Sequence, residues 1–75
     1  MTQLEVQYRY QTAPAAPEMR AIDAIREVYG IRRIKIDEAQ KIVRVEFDAS
    51  RLKEPVVAGL LRRAGLDLSE KIALA

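Results

Sequence analysis

The chain has 75 residues and none of them is cysteine, histidine, tryptophan or asparagine. Without cysteine there is no disulfide, no thiolate nucleophile and no sulfur clamp for a soft metal. Without histidine the commonest general base and the commonest metal ligand are both missing. Glycine and proline occur three times each, so each occurrence reads as punctuation. A formal net charge of +2 is too small to argue for a nucleic-acid partner by itself. No apolar run approaches the length that crosses a bilayer. The first ten residues, MTQLEVQYRY, do not show a basic start followed by an apolar stretch. The expectation is a cytoplasmic protein.

What is present is a single small domain. About half the residues are hydrophobic and a third charged, a globular balance rather than a disordered one. A chain this short buries only about 60% of its unfolded surface, so it needs one well-formed core.

The stretch 12–30, TAPAAPEMRAIDAIREVYG, organises the rest. Pro14 and Pro17 break any ladder and fix φ. The spacing places Pro17 at the first helical position, with Ala16 pushed away from helical geometry. Met19, Ile22, Ile25, Val28 and Tyr29 then recur at helical spacing, and Gly30 supplies a stop. Before this unit, Leu4, Val6, Tyr8 and Tyr10 alternate with Glu5, Gln7 and Arg9, which predicts a strand with one buried face.

After it, Ile31, Ile34 and Ile36 are interleaved with Arg32, Arg33 and Lys35, a second strand. Residues 37–41, DEAQK, form a turn. Val43, Val45 and Phe47 alternate with Arg44 and Glu46 in a third strand, with Ile42 expected on the outward phase. Pro55 opens a second helix whose stripe is Val56, Val57, Leu60, Leu61 and Ala64. Arg62 and Arg63 suit its C-terminal dipole, and Gly65 ends it. Gly59 lies inside this helix, where a close approach to the sheet would account for it. Leu66, Leu68, Ile72 and Leu74 supply a last strand, with a bend at 69–71.

The order strand–helix–strand–strand–helix–strand predicts an α+β, ferredoxin-like βαββαβ split sandwich. Right-handed crossovers put the first and third strands at the centre of a four-stranded antiparallel sheet. Both helices cover one face. The other face is charged, with Glu5 and Glu46 expected to pair with arginines across it.

At this point the residues resemble the heavy-metal-associated (HMA) domain, the family of copper chaperones and of the N-terminal modules of metal-pumping ATPases. Gly30 and Ile31 with Ile34 and Ile36 are similar to the family's turn into its second strand. Val43, Val45, Phe47 and Asp48 are similar to its third strand and the aspartate that closes it. Leu60, Leu61, Ala64 and Gly65 are similar to the end of its second helix. The resemblance implies a Cys-x-x-Cys site for Cu(I) in the loop entering the first helix. To within one residue, the two cysteine positions fall on Pro14 and Pro17, and the methionine that precedes them falls on Thr12. The metal site is therefore degenerate, and the resemblance implies the fold without its thiolates.

Three readings compete for the loop of Thr12, Ala13, Pro14, Ala15, Ala16 and Pro17. The bland one is helix entry. A P-x-x-P segment also docks on aromatic grooves. The third reading is a partner-contact loop, as the resemblance implies, with a metal ATPase, a related metal-handling protein or a second copy as partner.

Met1 and Met19 are the only soft ligands, and Met19 falls on the apolar helix stripe. Asp37 and Glu38 are adjacent in a turn and read as solvated rather than as a hard-cation site. No cofactor and no metal site is expected. Arg32, Arg33, Lys35 and Arg44 make a basic sheet face, but RNA-binding domains of this topology stack bases on aromatics in the central strands. The third strand offers none there, and Tyr8 and Tyr10 would serve only if the first strand were turned over.

Catalysis has no nucleophile–base pair to stand on. Acylphosphatases share the fold but need an asparagine, and ligand-sensing ACT domains need a glycine at the entry to the first helix. The expected function is a non-catalytic HMA-like interaction or accessory module associated with metal-handling proteins. The alternative is a metal-transport chaperone using non-cysteine or partner-supplied ligands.

Overall fold

Six elements follow one another in a computed structural model that describes residues 2–74: β1 (Gln3–Tyr10), α1 (Ala16–Ile25), β2 (Ile31–Asp37), β3 (Ile42–Asp48), α2 (Glu54–Arg63) and β4 (Leu68–Leu74). Met1 and the Leu74 side chain, both named above, lie outside the described residues. The strands form one antiparallel sheet in the order β2-β3-β1-β4. β1 and β3 are central, as two right-handed crossovers require. The expected ferredoxin-like split sandwich is the fold observed.

The register shows why the apolar alternation works. Leu4 lies opposite Phe47, Val6 opposite Val45 and Tyr8 opposite Val43. On the other side of β3, Ile34 lies opposite Val45 and Ile36 opposite Val43. Ile31 and Ile34 are three apart, yet both are buried. A bulge reconciles this: Ile31 pairs with Phe47 and Arg33 with Glu46, so two steps along β2 match one along β3. Ile22 and Ile25 of α1 and Val57, Ala58 and Leu61 of α2 close the core over this face.

Several expected details differ. Each helix begins one residue earlier than its proline suggests, with Ala15 and Lys53 as N-caps, so that Pro17 and Pro55 sit at the second helical position. Ala16 is therefore helical. The Ala15 carbonyl accepts from the Met19 N–H at 2.9 Å, and Glu18 Oε1 accepts from the Ala15 N–H at 2.9 Å. These two bonds hold Ala16 in the first turn against the steric bias of the following proline.

α1 stops at Ile25, well before Gly30. The chain tightens there: Glu27 and Val28 donate to carbonyls three residues back, Ala24 and Ile25. Arg26 is tied to Asp23 and, through Nη2, to the Ile34 carbonyl at 2.9 Å. Tyr29 consequently leaves the apolar stripe and is 70% exposed.

The buried stripe of α2 is Val57, Ala58 and Leu61, while Val56 is 45% exposed. No close helix–sheet approach explains Gly59: a β-carbon there would meet only the end of Arg63, at 3.9 Å. Ile42 keeps the outward phase and stands apart from the main core, yet it is buried rather than exposed. It sits on a central strand between Arg9 and Asp37 in register, and with a polar neighbour on each side a branched side chain keeps little open area. β4 runs unbroken through 69–71, with its irregularity expressed as register shifts against β1. Ile72 points outward at 39% exposure.

On the open face, Glu46 accepts from Gln3 Nε2 at 2.8 Å and pairs with Arg33 at 3.7 Å. Arg9 pairs with Glu70 at 3.1 Å. Glu5 accepts from Gln7 Nε2 rather than from an arginine. Tyr8 and Tyr10 face the helices and are buried, so β1 is not turned over.

Candidate functional site

The loop between β1 and α1 is pinned at both ends. The Tyr10 N–H donates to the Lys41 carbonyl and the Gln11 N–H to the Asp67 carbonyl, each at 3.0 Å. Lys41 Nζ returns to the Gln11 carbonyl at 3.2 Å. The β2–β3 turn and the start of β4 therefore hold the exit from β1. At the far end the Glu18 carboxylate holds Ala15. Alanine has no side-chain acceptor, so only this half of a capping box is made.

Between these anchors Thr12 and Ala13 are exposed and Pro14 is half-buried; Ala15, at the far anchor, is exposed, as are Ala16 and Pro17, which the sequence placed in the loop but which form the first turn of α1. The loop presents methyl and ring carbons and a few carbonyls. Pro14 and Pro17 offer no side-chain donor and no anionic ligand, and Thr12 offers a hydroxyl alone. Met19 is partly buried and packed on the core, so its thioether fills space. Asp37 Oδ1 accepts from the Gln40 N–H at 3.2 Å, a turn-stabilising bond. Among the described residues no three or more carboxylates converge to hold a metal ion.

Just inside the loop lies Tyr10, the last residue of β1. Its hydroxyl is buried and makes no hydrogen bond among the described residues. Burial, and then the nearby carboxylates Glu38 and Asp37, push this phenol above its usual range.

Two further side-chain clusters escaped sequence reasoning. In the first, Tyr8 donates its hydroxyl to Glu54 Oε2, and Lys71 Nζ pairs with Glu54 Oε1 at 3.5 Å. They border a cleft of about 280 Å³ between α2 and β4, floored by Pro55, Ala58 and Leu68. Burial first, then the hydrogen bond to Glu54, raise the Tyr8 phenol far above its usual range.

The second cluster is at the opposite end of the sheet. Asp48 is 1% exposed; its Oδ1 accepts from the Ser50 N–H at 3.0 Å and the Ser50 hydroxyl at 2.6 Å. Arg51 Nε lies 3.4 Å from Oδ2, and the Arg51 guanidinium lies 4.2 Å from the centre of the Tyr29 ring. The Ser50 hydrogen bonds, with help from Arg51 and Arg32, hold the Asp48 carboxyl below its usual range despite burial. The sequence marked Asp48 as the end of β3, but nothing in its spacing linked residues 29 and 51.

No known family model matches the chain, and no curated protein matches its sequence. Solved structures do match in shape. A copper binding domain from HMA7, a P-type ATPase, superposes with a TM-score of 0.76 at 21% identity, covering 95% of this chain and 96% of that one. Oxidized MerP from Ralstonia metallidurans CH34 superposes with a TM-score of 0.72 at 20% identity, covering 91% of this chain and 96% of that one. At such identities the likeness is one of backbone architecture: this chain has the ferredoxin-like fold of those two domains over nearly its whole length.

Proposed function

We propose that this domain is a non-catalytic, HMA-like interaction module that works beside metal-handling proteins in the cytoplasm and contacts its partner through the loop of Thr12, Ala13, Pro14, Ala15, Ala16 and Pro17. The observation that carries the reading is the state of that loop. It is largely apolar and exposed except at half-buried Pro14, and it is anchored by the Gln11 N–H on the Asp67 carbonyl and the Ala15 N–H on the Glu18 carboxylate. A segment fixed in this way loses little entropy on docking. To within one residue its two prolines stand where the resemblance implies thiolates, and the chain has no cysteine, so the loop keeps a surface for contact but no soft ligand of its own.

The test has two arms. Pull-down with the intact domain is compared with a variant in which Pro14, Ala15 and Ala16 are replaced together; interactions lost in the variant support the loop, and an unchanged set removes it. Separately, the tag-free protein competes with a Cu(I) chelator. Negligible copper uptake is expected, and tight one-to-one uptake would replace this reading with that of a metal carrier.

A further inference from the structure

Where the 26–32 segment meets the loop after β3, a cleft of about 290 Å³ is lined by Arg26, Tyr29, Gly30, Arg32 and Arg51, with Glu27 the one acidic side chain on its wall. It lies at the opposite end of the sheet from the 12–17 loop. We propose that this cleft is a binding site for the phosphoryl group of a small phosphorylated molecule, with the Arg51 guanidinium as its principal ligand.

The geometry of Arg51 carries the proposal. Its Nε faces the buried Asp48 carboxylate at 3.4 Å and its plane lies over Tyr29 at 4.2 Å. Two contacts on one long side chain narrow its rotamer choice before any ligand arrives. They leave both terminal nitrogens without an acceptor among the described residues. A guanidinium pre-positioned with a free fork suits two oxygens of one tetrahedral anion. Asp48 does not line the cleft; it serves as the anchor behind Arg51.

The backbone adds a second, independent feature. In the turn through Gly30 (φ +102°), the N–H groups of Tyr29 and Gly30 have no acceptor among the described residues. Successive unpaired N–H groups in such a turn form a concavity for an anion. Arg26 and Arg32 add positive charge at the rim, and Tyr29, largely exposed, offers ring surface to whatever carries the phosphate.

The experiment is an amide chemical-shift titration of the full chain with inorganic phosphate and, separately, with adenosine monophosphate, at fixed ionic strength set with chloride. Saturable shifts centred on residues 26–32 and 49–52 are expected with both probes. Arg51→Gln weakens binding about tenfold or more; Arg51→Lys, which keeps the charge but not the fork, weakens it less. Glu27→Gln, an exposed change that leaves the fold intact, tightens binding. A tighter hold on the nucleotide than on phosphate assigns the ring of Tyr29 to the ligand, and equal affinity assigns recognition to the phosphoryl group alone. The proposal is overturned by the absence of saturable shifts in that segment, by phosphate binding indifferent to both Arg51→Gln and Glu27→Gln, or by an oligonucleotide whose shifts spread over Lys35 and Arg44 on the open face while phosphate leaves the cleft unmoved.

Discussion

Gly65 and Glu18 meet where the end of α2 reaches the start of α1: a β-carbon on Gly65 would lie 2.6 Å from Cγ of Glu18. Gly65 also holds φ at +107°, a left-handed conformation that strains any side chain. Glu18 cannot simply swing away, because its carboxylate holds the N–H of Ala15 and with it the loop. Gly65→Ala is therefore expected to lower stability by about 1–3 kcal/mol, read as a shift in the urea midpoint. Part of that cost comes from the contact. In a Glu18→Ala background the same change costs less, and the difference in a double-mutant cycle measures the coupling. Equal costs in both backgrounds would assign the whole effect to the backbone angle.

Gly59 behaves in the opposite sense. It lies inside α2, and a β-carbon there meets nothing nearer than the end of Arg63 at 3.9 Å. Glycine inside a helix is about 1 kcal/mol less favourable than alanine. Gly59→Ala is expected to raise stability by about 0.5–1 kcal/mol, with no change in the amide shifts of the sheet. A loss of stability would mean that the position is closer to a neighbour than the packing describes.

The contrast between these two glycines also marks what could be read from the chain. Period-two alternation in Leu4, Val6, Tyr8 and Tyr10 identified both a strand and its buried face, because each step of a strand reverses the side chain. Pattern was weaker where one residue type suits two environments. Tyr29 fits an apolar stripe by type, but α1 ends at Ile25 and the ring turns outward under Arg51. In α2 the buried face includes Ala58 rather than Val56, a rotation of the helix that neighbouring valines cannot signal. Ile42 obeys the strand period and is buried anyway, because its register neighbours, Arg9 and Asp37, lie on other strands. The break after β1 was legible because proline is a local signal, although Ala16 and Pro17, read as loop, belong to the first turn of α1. The Tyr8–Glu54 contact was not, since its partners are 46 residues apart, and no local spacing carries such information.

Asp48 is expected to make the fold acid-sensitive. Its carboxyl is held below the usual range, first by Ser50 and then by Arg51 and Arg32. The folded state thus binds the Asp48 proton more weakly than the unfolded state does. The stability it contributes is complete above the unfolded carboxyl value, about pH 4, and drains away as pH falls through the lower folded value. Urea midpoints measured from neutral to strongly acid pH should show a steeper decline for the native chain than for Asp48→Asn, which removes this titration. Parallel curves for the two proteins would show that other carboxylates carry the acid sensitivity.

Tyr8 sets the alkaline counterpart. Its hydroxyl donates to the Glu54 carboxylate, which Lys71 pairs from β4, so one phenol ties the central strand to the start of α2 and to the sheet edge. The phenol is raised by burial and by Glu54, and the sign therefore reverses relative to Asp48. The contribution of Tyr8 is fully present below the unfolded phenol value, about pH 10, and is lost as pH climbs through the higher folded value. Phenolate absorbance should show this tyrosine ionising only as the fold itself gives way, in step with loss of circular dichroism. Tyr8→Phe removes a hydrogen bond to a charged acceptor and is expected to cost about 1.5–3 kcal/mol at neutral pH. It should also flatten the alkaline limb of the stability curve. Because Lys71 still neutralises Glu54 in the variant, the cost should grow in a Lys71→Met background, where the carboxylate keeps neither partner. A Tyr8→Phe protein as stable as the native chain in both backgrounds would mean that water replaces the hydroxyl without loss.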